Sequence, residues 1–374
     1  MLFTIRDFTR LRQYSHIVWD IDRTITDENG ALSEEVAAKI INLALNERVF
    51  HSFITGRDAD WMKVKVIDRL IPFFKFNDVR GRLDFYGEVG SVIQRVSDDG
   101  TVTERFDSEI ENHPLKMNAN GVRDKLRALV YDPEKLESFN GRKLEAAEEV
   151  IYDANECGFV IDRTKHVAPI CHPYIWATSK KAFATFEKIR NKEGYFNDFD
   201  QDPYAERLRS MITTEGFSDQ VDIEVIGTAI NIVPKLNGLK LGKSWATGKA
   251  LMHIWEQKIG KNEISLDQVI AGTISAGDGR ADLDFTKPMF PEAIARDLKR
   301  NRVDIIFVGG ELDLPKVGSA DYSLRENIII QATGQGTLAV NARERRISWQ
   351  DAMGARVISE VLDYLKMWGH FREF

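Results

Sequence analysis

The sequence predicts an α/β fold built on a parallel sheet, with a second α+β unit inserted into it. Two apolar runs, at 17–19 and 49–54, each end in polar residues and are each followed by a helical pattern. Strand–helix–strand–helix order of this kind favours parallel strands joined by crossover helices. From about residue 107 to residue 233 the pattern changes to helices mixed with short strands, which indicates the inserted unit.

The first strand ends in the run Asp20-Ile21-Asp22-Arg23-Thr24. Residues two apart on an extended strand share a face, so the carboxylates of Asp20 and Asp22 are expected to face one small volume at the strand tip. Two carboxylates held so close need a cation, or one of them must keep its proton. The second strand ends in Thr55-Gly56-Arg57, and open α/β sheets place their sites at the carboxyl ends of strands.

The remaining elements follow from apolar periodicity and from turn residues. Core helices are predicted near 33–45, 58–70, 244–259 and 348–368, core strands near 269–276 and 303–308, and a hairpin over 83–106. The insert shows helical patterns at 133–139, 143–155, 179–191 and 203–213, with short strands near 159–161, 167–171 and 221–226. We therefore place the first part of the core at 1–106, the insert at 107–233 and the second part of the core at 234–374.

Composition and charge exclude several classes of protein. A chain of 374 residues is long enough for two domains, and its net charge of −7, with acids and bases interspersed, argues against a sequence-independent nucleic-acid binder. No apolar run is long enough to span a bilayer, and residues 1–13 lack the apolar region of a secretory signal. Cys157 and Cys171 lack a zinc-ligand spacing, which indicates plain thiols in a reducing compartment. We therefore expect a cytoplasmic protein without nucleic-acid or membrane partners.

A further group of acids follows the predicted strand at 269–276. The run Gly277-Asp278-Gly279-Arg280-Ala281-Asp282 forms a glycine-rich corner directly after that strand. Asp278 and Asp282 are therefore expected at the same sheet edge as Asp20. Lys243 lies at the expected start of the helix that follows the insert, and Lys249 lies within that helix.

Four separated motifs resemble, in type and in order, those of the haloacid dehalogenase (HAD) phosphohydrolases. They are Asp20-x-Asp22-x-Thr24, Thr55-Gly56-Arg57, a lysine after the insert, and Gly277-Asp278-x-x-x-Asp282. The insert resembles, in its position, the type-two cap of sugar phosphatases and phosphomannomutase-like members. The resemblance implies a Rossmann-like parallel-sheet core, an inserted α+β cap domain and Mg²⁺ as the cofactor.

The resemblance also implies roles for individual residues in the hydrolysis of a phosphate monoester. Asp20 would attack phosphorus to give an aspartyl phosphate, and Asp22 would protonate the leaving oxygen and later take a proton from water. Mg²⁺ would be held by Asp20, the main-chain carbonyl of Asp22, Asp278 and Asp282, because this ion prefers oxygen ligands. Thr55 and a lysine would bind the phosphoryl oxygens.

The insert is expected to set specificity, and the resemblance to capped sugar phosphatases favours a small phosphorylated metabolite such as a sugar or polyol phosphate. Candidate substrate-binding residues are Arg23, Gly56, Arg57 and, from the insert, Arg163. Arg57 is placed to contact either phosphate or Asp58. The oligomeric state is open, although the long stretch at 285–336 suggests a dimer contact.

The phosphate-binding lysine is either Lys243 or Lys249. Family members typically show Lys-Gly-x-Ala-Leu, whereas this chain has threonine at the expected lysine of the run Thr247-Gly248-Lys249-Ala250-Leu251. Lys243 lies one helical turn earlier and could reach the same phosphate, so we favour Lys243.

Three alternative interpretations stay open. The run Gly242-Lys243-Ser244 resembles the end of a phosphate-binding P-loop, but the first glycine of that motif falls at Asn237. A sugar phosphomutase would use the same aspartyl phosphate and pass it to a sugar hydroxyl instead of water. A catalytically idle HAD-like binding module would keep the fold alone.

Overall fold

The computed structural model describes residues 13–27, 29–73, 77–97, 99–113, 117, 159–161, 170–173, 209–210, 212–226, 229–260, 263–308, 329–332, 339–341, 346–349 and 354–374. The chain divides into two compact units, Met1–Phe106 with Gly242–Phe374, and Asp107–Leu241. Predicted helices at 133–139, 143–155 and 179–191 lie outside the described residues, as do Cys157 and Arg163.

The described strands and helices are numbered in chain order. The strands are β1 (His16–Trp19), β2 (Phe50–Ile54), β3 (Leu83–Gly87), β4 (Val92–Val96), β5 (Val102–Phe106), β6 (Phe159–Ile161), β7 (Ile170–Pro173), β8 (Val221–Ile226), β9 (Ala229–Leu236), β10 (Leu239–Lys240), β11 (Thr273–Gly277), β12 (Asp304–Phe307), β13 (Ile329–Ala332), β14 (Ala339–Asn341) and β15 (Arg346–Trp349). The α-helices are α1 (Glu34–Asn46), α2 (Ala59–Met62), α3 (Asp68–Leu70), α4 (Asn77–Arg80), α5 (Lys243–His253), α6 (Leu266–Ala271), α7 (Glu292–Ala295) and α8 (Gly354–Met367). A π-helical segment, Lys63–Ile67, joins α2 to α3, and another, Ile254–Ile259, continues α5.

The first unit is built on a ten-stranded sheet in the order β14-β15-β13-β12-β11-β1-β2-β3-β4-β5. Strand β1 pairs in parallel with β2 and with β11, so that Trp19 lies opposite Phe53 and Ala276. The chain therefore leaves these three strands at the same sheet edge. This topology confirms the predicted α/β class with a Rossmann-like parallel sheet, and the predicted hairpin is the antiparallel set β3, β4 and β5.

The central strands are buried along their whole length, as expected for parallel strands covered on both faces. Because side chains alternate across a strand, Ile17 and Trp19 pack into one hydrophobic cluster with helices α1 and α8. Val18 points to the opposite face and packs with Ile54 and with Ala246 of helix α5. Helix α5 therefore lies on the Val18 face of the sheet, and its first residue is close to the end of β1.

Two predicted elements are wrong. Residues 269–271, expected in a strand, belong to helix α6, because Ser265 opens that helix with a capping box in which its hydroxyl accepts the N–H of Gln268 at 3.3 Å. Ser348, expected to open the last helix, lies in β15 opposite Gln331, and the helix begins at Gly354. In both places a local cap or a strand partner outweighs the apolar pattern.

The second unit contains a five-stranded sheet in which β10, β9, β7 and β6 are neighbours in that order and β8 pairs with β9. All of these pairings are antiparallel. Strands β9 and β10 form a hairpin around Asn237 and Gly238, whose φ angles of 51° and 79° suit a two-residue Asn-Gly turn. The unit continues through this hairpin to Leu241, beyond the end that the sequence predicts at residue 233.

Within the ranges that the structure describes, none of the helices combines the length and the apolar character needed to cross a bilayer.

Helix α5 passes so close to another backbone segment that position 248 requires glycine. A Cβ atom at Gly248 would lie 1.8 Å from the carbonyl oxygen of Met289. We expect Gly248→Ala to lower the free energy of unfolding by about 1–3 kcal/mol, since the backbone must shift to admit the methyl group. Urea unfolding measures this loss. Gln257→Ala, at an exposed position in the continuation of the same helix, is the control, and equal stability of the two variants would contradict the packing argument.

Candidate active site

Three carboxylates meet at the carboxyl edge of the parallel sheet. Asp20, Asp278 and Asp282 each offer an oxygen atom, and these three atoms lie within 4.8 Å of one another. Asp20 directly follows β1, and the other two acids follow β11, the parallel neighbour of β1. Asp20 and Asp282 are buried, while Asp278 is half-buried. Strand register thus brings together acids that lie far apart in the sequence.

Burial and mutual repulsion raise the pKa of two of these acids. Burial is the largest cause for Asp20, followed by the charge of Asp282, and its pKa lies well above the ordinary value for aspartate. The same two causes, in the same order, raise the pKa of Asp278 to about 7. A cluster with this property favours either a retained proton or a bound cation.

Lys243 supplies a positive charge to the cluster. Its Nζ atom donates a hydrogen bond to Oδ1 of Asp20 at 2.7 Å and another to Oδ1 of Asp282. Burial by itself would lower the pKa of Lys243, but the two carboxylates outweigh it and the pKa is raised. The ammonium group also lies 5.0 Å from the ring centroid of Phe285. Lys243 is therefore held in its charged form among the acids.

Helix α5 directs its other candidate residues elsewhere. The Nζ atom of Lys249 lies 5.3 Å from the ring centroid of Trp245, on the same helix. Thr247, at the position where family members carry lysine, is fully buried and donates its hydroxyl proton to the carbonyl of Lys243 at 2.7 Å. Packing explains the glycine of the run, because Gly248 lies against the backbone of Met289.

The segment before Lys243 does not have the geometry of a P-loop. Asn237 and Gly238 form the tight turn of the antiparallel β9–β10 hairpin, and Gly242 is the N-cap of helix α5. A P-loop instead wraps consecutive backbone N–H groups around a phosphate between a strand and a helix. The P-loop alternative is therefore wrong.

Asp282 shapes the corner that carries Asp278. Its Oδ2 atom accepts hydrogen bonds from the N–H groups of Asp278 and Gly279 at 2.8 and 2.7 Å. A Cβ atom at position 277 would lie 2.2 Å from the Cβ of Asp282, so Gly277 allows the chain to turn this tightly. Both carboxylate oxygens of Asp282 accept hydrogen bonds, because Oδ1 accepts one from Lys243.

Thr24 contacts the cluster, although the sequence analysis gave it no role of its own. Its hydroxyl donates to Oδ2 of Asp20 at 3.0 Å and lies 3.4 Å from Oδ1 of Asp278. The backbone turns back after β1, because the N–H of Thr24 bonds to the carbonyl of Ile21. In the sequence, Thr24 lies four residues after Asp20. This spacing predicts a contact between the two side chains only if the chain is known to turn back after β1.

Asp22 lies beside the cluster and is paired with Arg57. Its Oδ2 and Oδ1 atoms accept hydrogen bonds from Nε and Nη2 of Arg57 at 2.9 and 3.3 Å. The guanidinium carbon of Arg57 also lies 5.4 Å from the ring centroid of Trp61, a residue that the sequence analysis missed. Asp58, the other predicted partner of Arg57, instead caps helix α2 by accepting the N–H of Trp61.

The loop after β2 is held by backbone bonds to the segment after β3. The N–H of Val89 bonds to the carbonyl of Thr55, and the N–H of Glu88 bonds to the carbonyl of Arg57, both at 2.8 Å. Glu88 and Val89 have φ angles of 46° and 52°, which are unusual for residues other than glycine. Thr55 is buried, and a Cβ atom at Gly56 would meet no heavy atom of the described residues within 4 Å apart from those of its chain neighbours.

The predicted substrate-binding residues have different outcomes. Arg23 is exposed, has a φ of 61° and donates its N–H to the hydroxyl of Thr26 at 2.9 Å. Arg163 lies outside the described residues, so the predicted contribution of the insert stays a prediction.

The donor set fits a hard divalent cation such as Mg²⁺. Its members are carboxylates close enough to share one ion, and burial, followed by the charge of Asp282, raises the pKa of Asp20 and Asp278. Mg²⁺ takes oxygen ligands and usually keeps several waters, so two protein carboxylates suffice. Asp278 is better suited than Asp282, because Oδ2 of Asp282 accepts two backbone N–H groups and its Oδ1 accepts a hydrogen bond from Lys243.

No protein-family model matches the chain, and no curated protein matches it. Among solved structures, a trehalose-6-phosphate phosphatase of Aspergillus fumigatus is 13% identical over 97% of this chain and 95% of that chain, with a TM-score of 0.43. The C-terminal domain of trehalose-6-phosphate phosphatase from C. albicans is 12% identical over 96% and 94%, with a TM-score of 0.49. IMP-nucleotidase of Plasmodium falciparum is 12% identical over 81% and 67%, with a TM-score of 0.45.

These similarities are too remote to transfer a function. The geometry of the site is more informative, because the four motifs keep their order and lie after neighbouring parallel strands or at the start of the adjoining helix. The parallel sheet and the positions of the site residues at its edge are those expected from the motif resemblance described above.

We expect Asp278→Asn to stabilise the metal-free protein, and to do so more at pH 8 than at pH 5. The pKa of Asp278 is raised from 3.8 to about 7 in the folded state, so between these two pH values the folded state holds a proton that unfolding releases. The free energy of unfolding of the wild type therefore falls as the pH rises toward 7. Asparagine does not titrate, so Asp278→Asn avoids this loss. The gain should grow by about 2–3 kcal/mol between the two pH values.

Urea unfolding in EDTA at pH 5 and pH 8 tests this expectation. Asp60→Asn, which neutralises an exposed aspartate in helix α2, is the matched control. A stability difference between Asp278→Asn and wild type that does not change with pH would contradict the electrostatic account.

Proposed function

We propose that the protein is a Mg²⁺-dependent phosphatase that hydrolyses a phosphate monoester of a small metabolite through an aspartyl phosphate on Asp20. The observation that carries the proposal is the buried contact between Asp20 and Lys243, with Asp278 and Asp282 beside it. Transfer of a phosphoryl group to a carboxylate brings negative charges together. Preorganised cations at that point are therefore the main catalytic requirement.

The covalent route has two steps. In the first, an oxygen of Asp20 forms a bond to phosphorus while the bond from phosphorus to the leaving oxygen breaks, and Asp22 gives its proton to that oxygen. In the second, water attacks phosphorus and loses a proton to Asp22, while the bond from phosphorus to Asp20 breaks. Inorganic phosphate is released and both acids return to their starting states, so one slow hydrolysis becomes two easier displacements.

The other residues of the site would bind the phosphate and the metal. Lys243 and Thr55 would hold phosphoryl oxygens, with Gly56 leaving room for them and Arg23 close to the entrance. Asp20, Asp278 and the main-chain carbonyl of Asp22 would hold Mg²⁺, while Asp282 orients Asp278. When bound, the ion would offset the repulsion between the nucleophile and the phosphate.

The identity of the alcohol that is esterified to phosphate in the substrate is inferred from the motif resemblance alone. Resemblance to capped sugar phosphatases favours a sugar or polyol phosphate, which a phosphate-release screen over such compounds would identify. From the sequence features given above we also infer a cytoplasmic location.

Turnover of p-nitrophenyl phosphate tests the proposed reaction. We expect phosphate release with Mg²⁺, its loss in EDTA and its return when Mg²⁺ is added back. Asp20→Asn should lower kcat by at least about 10³-fold, because an amide cannot serve as the nucleophile. Asp60→Asn is the matched control. Equal rates with Mg²⁺, with EDTA and with Asp20→Asn would remove the enzyme assignment, and transfer to a sugar hydroxyl without phosphate release would favour the phosphomutase.

The choice of lysine has its own test. We expect Lys243→Met to lower kcat/KM for p-nitrophenyl phosphate by at least about 10²-fold, since the phosphoryl group loses its fixed cation. Lys249→Met, on the same helix, should keep nearly wild-type values. Circular dichroism verifies that both variants are folded. A loss in Lys249→Met equal to that in Lys243→Met would contradict the assignment.

A further inference from the structure

We infer that Arg57 is a positioning residue for Asp22, which it holds by both carboxylate oxygens while its own guanidinium group rests on Trp61. The inference depends on the proposed function and deepens it. From the sequence, Arg57 was a candidate for binding phosphate. The structure instead places its guanidinium group on the residue that would act as the general acid.

The contact has the geometry of an orienting clamp. Two different nitrogens of Arg57 reach two different oxygens of Asp22, at 2.9 and 3.3 Å. A planar fork of this kind fixes the rotation of the ionised carboxylate as well as its position, whereas a lysine would act as a point charge. When Asp22 carries the proton on one oxygen, the hydrogen bond to its other oxygen still holds it in place.

Arg57 is itself fixed from several sides. Its N–H donates to the hydroxyl of Thr55 at 3.1 Å, and its carbonyl accepts the N–H of Glu88 at 2.8 Å. Its guanidinium carbon lies 5.4 Å from the ring centroid of Trp61, whose N–H is anchored by the N-cap residue Asp58. The guanidinium group and the backbone of Arg57 are thus both restrained, as a positioning residue requires.

The two acids of the first motif have separate cationic partners. Lys243 is buried and bonds to Asp20 in the acid cluster, whereas Arg57 and Asp22 form a half-exposed pair whose side chains are 45% and 38% accessible. An ion pair with this exposure adds at most about 1 kcal/mol to stability. Arg57 therefore contributes little to stability, and its geometry is better explained by the orientation of Asp22.

The same chain offers a matched ion pair without this role. Lys63 and Asp68 are 2.8 Å apart with side chains 43% and 38% accessible, and both lie in the helical segment that follows Asp58. Lys63→Met thus removes an equally exposed pair outside the proposed catalytic machinery.

The identity of the leaving group separates positioning of an acid from binding of phosphate. Phenolate is a much stronger base than p-nitrophenolate, so departure from phenyl phosphate needs the proton of Asp22 far more than departure from p-nitrophenyl phosphate does. Because kcat/KM reports only the steps up to release of the first product, the later attack of water does not obscure the comparison.

The experiment compares kcat/KM for phenyl phosphate and p-nitrophenyl phosphate, with Mg²⁺ present, in variants of the full chain. Arg57→Met should lower the value for phenyl phosphate about 10- to 100-fold more than the value for p-nitrophenyl phosphate, since general acid catalysis contributes about 10²–10⁴-fold and this variant removes only the positioning of the acid. Asp22→Asn should show the same selectivity. Arg57→Lys and Trp61→Leu should show smaller effects in the same direction, and Lys63→Met should leave the ratio unchanged.

Each remaining outcome would overturn the inference. An equal loss on both substrates in Arg57→Met would mean that Arg57 binds the phosphate, and no loss on either would reduce the contact to a surface ion pair. Selectivity in Arg57→Met without selectivity in Asp22→Asn would mean that Arg57 does not act through Asp22. Absence of turnover by the wild type on both substrates would remove the proposed function itself, and the inference with it.

Discussion

The ammonium group of Lys243 compensates the negative charge of the carboxylates that lie close together at the sheet edge. Buried carboxylates repel one another, and removing a buried charge from its partner is costly because the remaining charge is left uncompensated. The contacts of Lys243 with Asp20 and Asp282 meet that requirement, although Lys243 follows the insert in the sequence. The same closely spaced carboxylates favour the binding of a metal ion, and a metal ion at this position would assist phosphoryl transfer.

The surrounding fold can be understood as the means of holding this charge arrangement. Parallel pairing of β1 with β11 fixes the ends of both strands at one edge. Helix α5 packs on the Val18 face of the sheet, and Gly248 allows it to approach the backbone near Met289. Helix α8 begins equally close to the loop after β1, since a Cβ atom at Gly354 would lie 1.9 Å from the carbonyl oxygen of Arg23. Glycines thus occur where these helices approach neighbouring backbone segments most closely.

Much of this arrangement could be predicted because it follows from local rules. Apolar runs ended by polar residues place Asp20, Thr55 and Asp278 at strand ends, and helical spacing makes Lys243 a candidate in place of Thr247. The errors arise where a nearby partner decides the outcome. A capping box turns residues 269–271 into helix, and pairing with β13 turns Ser348 into strand.

Contacts between side chains from different elements were beyond sequence reasoning. The pairing of Arg57 with Asp22 instead of Asp58 depends on the register of β1 and β2 and on the cap that occupies Asp58. The Asn237-Gly238 turn, by contrast, carried a clear hairpin signal that the resemblance to a P-loop obscured.

The central claim is that segments distant in sequence bind one divalent ion and one phosphoryl group together. The most direct test is a crystal structure of the protein with Mg²⁺ and beryllium fluoride, which mimics a phosphoryl group on a carboxylate. The account predicts beryllium fluoride attached to an oxygen of Asp20, a Mg²⁺ ion touching both Asp20 and Asp278, and Lys243 in contact with fluoride. Mg²⁺ bound away from both aspartates, or beryllium fluoride attached elsewhere, would contradict it.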